Sequence, residues 1–214
     1  LDLRNALKEI GQPLIIRTGK VTNIFEEISS KFNIKGIYSH QETGDWITYK
    51  RDQEVKIWCS NKNIIWKEYL QFSVFRGKIN RDNWSKRWKK NAKRELIKRP
   101  LKINPIDFDI GEIPEEKIFS LEKDECPGRL RGGRKQGIER MQYFFKEKLN
   151  SYSKNISSPE KSFYSCSRLS PYISWGCISL REIFYQANLH KNNNSIMLKS
   201  RLTWHCHFIQ KLES

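Results

Sequence analysis

The stretch Tyr164-Ser165-Cys166-Ser167-Arg168-Leu169-Ser170-Pro171-Tyr172-Ile173-Ser174-Trp175-Gly176 combines hydroxyl groups, a Ser-Pro turn and an arginine in one short segment. This order is typical of a helix start that receives a phosphate group, because the first amide groups of a helix have no partner within it. The positive end of the helix dipole and the planar guanidinium of Arg168 both favour an anion there. The residues alone therefore predict an anion site and nothing finer.

Composition and charge restrict the class of protein. A chain of 214 residues with 37% hydrophobic content, seven Trp and eleven Phe can bury the core of one large domain or two small ones. The net charge of +16 indicates a polyanionic partner, with nucleic acid favoured over an anionic membrane surface, although a general bias toward Lys, Asn and Ile would also raise the charge. No apolar run approaches the length of a bilayer span, and no signal-peptide pattern opens the chain. We therefore expect a soluble protein.

The cysteines predict a reducing compartment and no metal site. They are five in number and widely scattered: Cys59, Cys126, Cys166, Cys177 and Cys206. An odd, scattered set argues against a secreted disulfide framework, so we expect a cytoplasmic location. His205-Cys206-His207 is a weak metal motif, because adjacent side chains on a helix diverge and no Cys-x-x-Cys pair completes a ligand set.

Helices and short strands alternate through the first third of the chain. Apolar spacing predicts helices over residues 3–10, 22–32 and 52–61, and short apolar runs predict strands over residues 13–16, 34–38 and 63–66. This alternation predicts an α/β part with a parallel, Rossmann-like sheet flanked by helices. The loop from His40 to Gly44 follows a strand, where open sheets place their ligands, but a solvated loop fits the position equally well.

Two blocks of opposite charge follow. Residues 78–102 contain eleven Lys or Arg and two acids, whereas residues 107–125 contain eight acids and two Lys. Trp84 and Trp88 are four residues apart, so they share one helix face that we expect to be core, while the lysines face solvent or contact phosphates. The acidic block, with its prolines, reads as an interdomain linker.

The remainder of the chain is predicted to be helical. Arg129, Arg131 and Arg134 lie in a Gly- and Arg-rich segment whose spacing fits neither a dinucleotide fingerprint nor a P-loop. An amphipathic helix is predicted over residues 138–149 and another over residues 195–214. The last helix has two faces, one with Leu198, Leu202, Cys206 and Ile209 and one with Arg201, Trp204, His205 and Phe208. We expect the first face to be buried and the second to carry function.

The string Ser-Arg-Leu-Ser-Pro-Tyr at residues 167–172, followed by Trp175-Gly176 and Ser179-x-Arg-Glu182, resembles the flavin-phosphate segment of the DNA photolyase and cryptochrome family. Further residues resemble the later part of that family's antenna domain, namely His40, Glu42, Arg51-Asp52, Trp66-x-Glu68 and the run from Arg76 to Trp84. The resemblance implies a partial α/β antenna domain over residues 1–82, a basic helix and acidic linker over 83–125, and the first part of an all-α FAD-binding domain over 126–214.

The resemblance also implies site residues. The implied FAD contacts are Tyr152, Cys166, Ser167, Arg168, Leu169, Ser170, Arg201 and His205, and the implied DNA contacts are Trp204, Arg129, Arg131 and Arg134. A plain core tyrosine is the alternative for Tyr152. Cys166 stands where the family more often has threonine, His205 where arginine is common, and Arg201 where an acid is common in enzymes that split cyclobutane dimers. Trp175 is expected to pack between helices. No catalytic residue is assigned within the chain.

The function implied by the resemblance is light-dependent DNA repair. A deoxyribodipyrimidine photo-lyase sends an electron from reduced FAD into a pyrimidine dimer in DNA, and a second antenna chromophore of unnamed identity can accompany the FAD. Two alternatives stay open: a cryptochrome-like blue-light photoreceptor, favoured by Arg201, and a non-catalytic basic DNA-binding remnant. No protein partner is inferred.

The resemblance covers nearly all of the chain but only part of the family. The start of the antenna domain and most of the flavin domain have no counterpart in residues 1–214. We therefore expect the isolated polypeptide to resemble a fragment, to hold FAD weakly or not at all, and to repair nothing.

Overall fold

The computed structural model describes residues 1–77, 80–122 and 124–214. Lys78, Ile79 and Lys123, which fall in the predicted basic segment and linker, lie outside the described residues. The elements are α1 (Asp2–Glu9), α2 (Val21–Lys31), β1 (Gly36–His40), α3 (Trp46–Asn61), β2 (Ile65–Tyr69), α4 (Trp84–Ala92), α5 (Arg134–Tyr143), α6 (Tyr152–Asn155), α7 (Pro159–Ser165), α8 (Ser170–Ser174), α9 (Leu180–Asn188) and α10 (Asn193–Glu213). Short 3-10 turns (Glu116–Phe119 and Leu149–Ser151) and a π-helix (Phe144–Lys148) complete the described structure.

Contacts divide the chain into two compact units. The first unit comprises Leu1–Ile16 and Ala92–Leu202, and the second comprises Arg17–Asn91 and Thr203–Ser214. Helix α10 therefore contributes its first part to one unit and its last part to the other. The domain boundaries predicted at residues 82 and 125 stay a prediction.

The second unit contains the parallel sheet. Strands β1 and β2 pair in parallel, from Gly36 opposite Ile65 to His40 opposite Tyr69, and α3 connects them. Helix α3 begins where Asp45 caps it, with a carboxylate oxygen that accepts a 2.7 Å hydrogen bond from the amide of Ile47. This arrangement confirms a parallel sheet with helices, and it places His40 at the carboxyl end of a strand as predicted.

The strand predicted at residues 13–16 is wrong, because the sheet in the described residues has only two strands. The backbone of this run pairs elsewhere, within the first unit. The amide of Ile16 donates to the carbonyl of Ile110 at 2.9 Å, and the carbonyl of Leu14 accepts from Arg4 Nε at 3.2 Å. A short apolar run does not specify its partner, and here the partners are the acidic segment and α1.

Helix α4 confirms the predicted division between an aromatic and a basic face. Trp84 and Trp88 are buried in the second unit, Trp88 with only 1% of its surface exposed. The ring of Trp84 meets that of His207 edge-on at 5.5 Å, and the indole of Trp88 hydrogen-bonds with the thiol of Cys206. Lys86, Lys89 and Lys90 are exposed. The tryptophans are therefore core residues, and the solvent face of α4 is positively charged.

The first unit is helical and its core lies around the π-helix. The consecutive Phe144 and Phe145 are both buried, with Leu149 and Tyr152 beside them in the sequence. Helix α9 begins with a capping box, because Ser179 and Glu182 each bind the other's backbone amide. Across the residues that the structure describes, no helix is both long enough and apolar enough to cross a membrane.

Candidate functional site

Tyr152 opens α6 in the core of the first unit. Its ring is buried and meets Phe144 edge-on at 5.3 Å. Asn194 fixes the turn, because its carbonyl oxygen accepts from the amide of Ser153 at 2.8 Å and from the Ser153 hydroxyl at 2.7 Å. Burial raises the pKa of Tyr152 to about 12. The hydroxyl therefore stays protonated near neutral pH and can donate a hydrogen bond to an anion.

Cys166 and Arg201 lie near Tyr152, and Lys148 lies near Cys166. Burial, followed by the effect of Cys166, raises the pKa of Tyr152, whereas Arg201 opposes this rise. The pKa of the Cys166 thiol is itself raised by burial, and Arg201 and Lys148 act against that shift. Lys148 donates a hydrogen bond to the carbonyl of Tyr164. The site thus combines a protonated phenol, a neutral thiol and two positive charges, a set that suits an anion.

The backbone of the Ser167–Ser170 segment adds a second feature of an anion site. Arg168 has a left-handed φ of 53°, and Leu169 after it is right-handed. Left- and right-handed residues in succession turn backbone amides toward one side, as in anion-binding nests. Helix α8 then begins at Ser170, with Pro171 in its first turn, and extends over only five residues.

The side chains of this segment take different positions. Leu169 is buried, so only its main chain is available to a ligand, whereas Ser170 is exposed. The guanidinium of Arg168 lies over the ring of Phe163, 4.6 Å from its centroid. The Arg168 side chain is therefore directed onto a neighbouring aromatic ring. Of the predicted FAD contacts, the structure places Tyr152, Cys166 and Arg201 near one another.

The three arginines predicted to contact DNA differ in their ion pairs. Arg134 pairs with Glu182 at 2.6 Å, which raises the Arg134 pKa, and Arg129 pairs with Asp124 at 2.9 Å. Arg131 is exposed, and its carbonyl accepts a 2.8 Å hydrogen bond from the hydroxyl of Tyr172. Within residues 1–77, 80–122 and 124–214, the structure gives the Arg131 guanidinium no ion pair. Arg131 is thus the arginine of the three with most freedom to meet a phosphate.

Trp204 and His205 belong to the second unit. Trp204 is half-exposed beside Phe208, with ring centroids 5.6 Å apart. His205 is half-buried against the edge of Phe72, with ring centroids 5.3 Å apart, and burial lowers its pKa. An imidazole with a lowered pKa is neutral near pH 7, so His205 does not supply the positive charge of the arginine that is common there.

Two features of the first unit were not predicted from the sequence. Lys148 lies near Cys166, but nothing distinguishes it from the other lysines of a basic chain. Trp175 was predicted to pack between helices, and this was wrong, because 85% of its surface is exposed. It lines a cleft of about 340 Å³ together with Arg129 and Arg131. Gly176, which follows α8 with a φ of 66°, was the available signal that the helix stops next to Trp175.

The fold defines a class of protein. The structure of a cryptochrome from Synechocystis sp. PCC6803 aligns with 98% of this chain and with 48% of its own chain, with a TM-score of 0.78 and 20% identity. A class III photolyase from Agrobacterium tumefaciens aligns with 98% of this chain and with 48% of its own, with a TM-score of 0.75 and 14% identity. An archaeal photolyase from Sulfolobus tokodaii, described as containing two FAD molecules, has a TM-score of 0.66 and 18% identity over 98% of this chain and 45% of its own. At these identities the structures show the shared fold.

Sequence comparison agrees with the fold. No family model matches the chain. A cryptochrome DASH from Gloeobacter violaceus is 24% identical over an alignment that covers 97% of this chain and 46% of the relative. A cryptochrome DASH from Arabidopsis thaliana is 27% identical over 97% of this chain and 40% of the relative. A deoxyribodipyrimidine photo-lyase from Alkalihalophilus pseudofirmus is 26% identical over 86% of this chain and 41% of the relative. The predicted resemblance is confirmed: the chain has homologues in the photolyase and cryptochrome family, and it spans less than half the length of these curated relatives.

Proposed function

We propose that this chain provides the flavin-phosphate site of a light-dependent DNA repair flavoprotein of the photolyase type. The observation that carries the proposal is the grouping of Tyr152, Cys166 and Arg201 in the first unit, with Lys148 beside them. The resemblance of residues 166–170 to the family's flavin-phosphate segment supports the same assignment. The Sulfolobus tokodaii photolyase, whose description names two FAD molecules, supports FAD as the ligand and a second chromophore as an addition.

The donor set of this site fits the diphosphate of FAD. A protonated phenol at Tyr152 and the cations of Arg201 and Lys148 offer hydrogen bonds and charge, and Ser167 and Ser170 offer hydroxyls. The main chain of Leu169 and the Arg168 turn complete the clamp. When bound and reduced, FAD supplies the electron that splits a pyrimidine dimer in light. The residues of this chain hold and orient the cofactor's phosphates.

The proposed contact with DNA rests on charge and exposure. The net charge of +16 attracts a polyanion, and the exposed lysines of α4 present part of that charge to solvent. In the second unit, the half-exposed ring of Trp204 is available for stacking on an extruded base. In the first unit, Arg131 is the exposed arginine of the 129–134 segment, while Arg129 and Arg134 would exchange acidic partners for phosphate.

A cryptochrome-like photoreceptor is the second candidate. Arg201 stands where the dimer-splitting enzymes commonly have an acid, and it reverses the local charge beside Tyr152. Two of the relatives described above are named cryptochrome DASH. A flavin-free protein that binds nucleic acid is the third candidate, for which the net charge of +16 speaks.

An absorption spectrum combined with illumination tests the three candidates. The purified chain is mixed with excess FAD, reduced, and illuminated with an oligonucleotide that contains a pyrimidine dimer, with a dark sample as control. Perturbed flavin bands and loss of dimers only in light are expected for the repair enzyme. Perturbed bands without loss of dimers would support the photoreceptor. Unperturbed bands together with oligonucleotide binding would favour the third candidate, the flavin-free protein that binds nucleic acid.

A further inference from the structure

A cleft in the first unit lies outside the flavin-phosphate site. It has a volume of about 340 Å³, and its walls include Arg129, Arg131, Pro171, Tyr172 and Trp175. This volume lies within the range of sites for small ligands and suits a single nucleotide. The lining of the cleft is thus mainly apolar, and it includes an aromatic ring and residues of the arginine segment.

Trp175 is exposed although its backbone is well fixed. Its amide donates to the carbonyl of Pro171 at 3.0 Å, and the amide of Cys177 donates to the carbonyl of Tyr172 at 2.8 Å. The turn therefore holds its position while 85% of the tryptophan surface remains in water. The exposed indole therefore presents a flat apolar surface at a defined place beside the cleft.

The arginine segment is fastened to the same helix. The buried Tyr172 donates its hydroxyl hydrogen bond to the carbonyl of Arg131 at 2.8 Å. Gly137 permits this packing, since a Cβ at that position would lie 3.2 Å from the Tyr172 ring. Arg129 pairs with Asp124, and both partners of that pair are exposed. The backbone of the arginine segment is therefore fixed beside the cleft, while the side chains of Arg129 and Arg131 extend into solvent.

We propose that this cleft binds one unpaired nucleotide of a nucleic-acid strand, with the base stacked on Trp175 and the adjacent phosphate on Arg131. A flat base complements an exposed indole, and any of the bases can stack there, because every base has a π-face. The phosphate complements the guanidinium, and Arg129 supplies a second cation when it leaves Asp124. The net charge of +16 favours a polyanion over an uncharged aromatic ligand.

This site is independent of the flavin. It shares with the proposed function only the premise that the chain contacts nucleic acid, and it uses Trp175 where the proposed function uses Trp204. Loss of flavin binding would leave the nucleotide site intact. Conversely, loss of nucleotide binding at Trp175 would leave the flavin-phosphate site intact, so each proposal can be refuted without refuting the other.

Binding of a fluorescein-labelled oligothymidylate, followed in the dark by anisotropy, tests the site. Trp175→Ala should weaken binding about five- to 150-fold, the range expected for loss of one stacked base. Trp175→Phe, which retains a ring, should keep most of the affinity. Trp46→Ala removes a tryptophan of similar exposure, 70%, from the second unit and should change binding less than about twofold.

A second variant tests the phosphate contact. Arg131→Gln should make the dependence of log K on log salt shallower by about 0.7, the value for one contact to a single strand. Lys161→Gln, which removes an exposed charge elsewhere in the first unit, is the matched control. Equal affinities of wild type and Trp175→Ala would overturn the proposal, as would an oligonucleotide that does not bind at all. Perturbed bands of FAD added to a separate, unlabelled sample of the same protein would show that the proposed flavin-phosphate site still stands.

Discussion

Replacement of Trp88 with alanine is expected to lower the free energy of unfolding by about 3–5 kcal/mol, as for other large aromatic side chains removed from a core. Trp88 has 1% of its surface exposed, and its indole hydrogen-bonds with the Cys206 thiol. Alanine would leave a cavity that the surrounding helices fill only in part. Urea unfolding followed by circular dichroism measures the effect.

The matched control for this prediction is Trp46→Ala. Trp46 is 70% exposed, so its removal should cost less than about 1 kcal/mol. If Trp88→Ala instead kept its stability and lost affinity for DNA, Trp88 would be a stacking platform and the assignment of α4 would be wrong. The expected result leaves only the lysine face of α4 for contact with a polyanion.

Removal of the Asp52 carboxylate is expected to have an effect of similar size. Asp52 pairs with Arg76 at 2.5 Å and with Arg51 at 2.7 Å, and the side chains of Asp52 and Arg76 are only 8% and 14% exposed. Arg76 also donates to the carbonyl of Glu42 at 2.8 Å and so ties the loop after β1 to α3. Asp52→Ala would leave the Arg76 charge largely uncompensated, at a cost of about 3–5 kcal/mol.

Asp124→Ala is the control for the ion pair, measured by the same urea unfolding. The pair of Asp124 with Arg129 is exposed on both sides, at 75% and 56%, so its loss should cost at most about 1 kcal/mol. Equal stabilities of Asp52→Ala and Asp124→Ala would contradict a structural role for the Asp52 network. In that case the neighbouring Glu68 would have to compensate Arg76 alone, from 3.5 Å.

The predictable part of the fold is the part that local pattern specifies. Alternating helices and strands predicted parallel β1 and β2, and the four-residue spacing of Trp84 and Trp88 predicted the buried face of α4. The strand predicted at residues 13–16 failed because a short apolar run does not identify its hydrogen-bond partner, which is the backbone near Ile110. On the last helix, Leu198, Leu202 and Cys206 are buried as predicted, but Gln210 is buried instead of Ile209. Its amide group closes two hydrogen bonds with the backbone of Phe75, a contact that periodicity does not encode.

The predictable part of the site is its string of residues. The Ser-Arg-Leu-Ser segment was identified by resemblance, and the grouping of Tyr152, Cys166 and Arg201 agrees with it. The left-handed φ of Arg168 was not predicted, since arginine has no intrinsic preference for it. The exposure of Trp175 was not predicted either, because an aromatic residue after a helical turn usually packs inward.

Retention of FAD compared with riboflavin tests the central claim most directly. Riboflavin lacks the diphosphate and the adenosine of FAD, so equilibrium dialysis of both flavins against the concentrated chain measures what these two groups add even when binding is weak. The Arg201 variant then separates the contribution of the phosphates from that of the adenosine. We predict that FAD is retained more than riboflavin, that Arg201→Glu removes this preference, and that Lys191→Glu, an exposed charge reversal in the same unit, preserves it. Equal retention of the two flavins by the unmodified chain would contradict a flavin-phosphate site at Tyr152, Cys166 and Arg201.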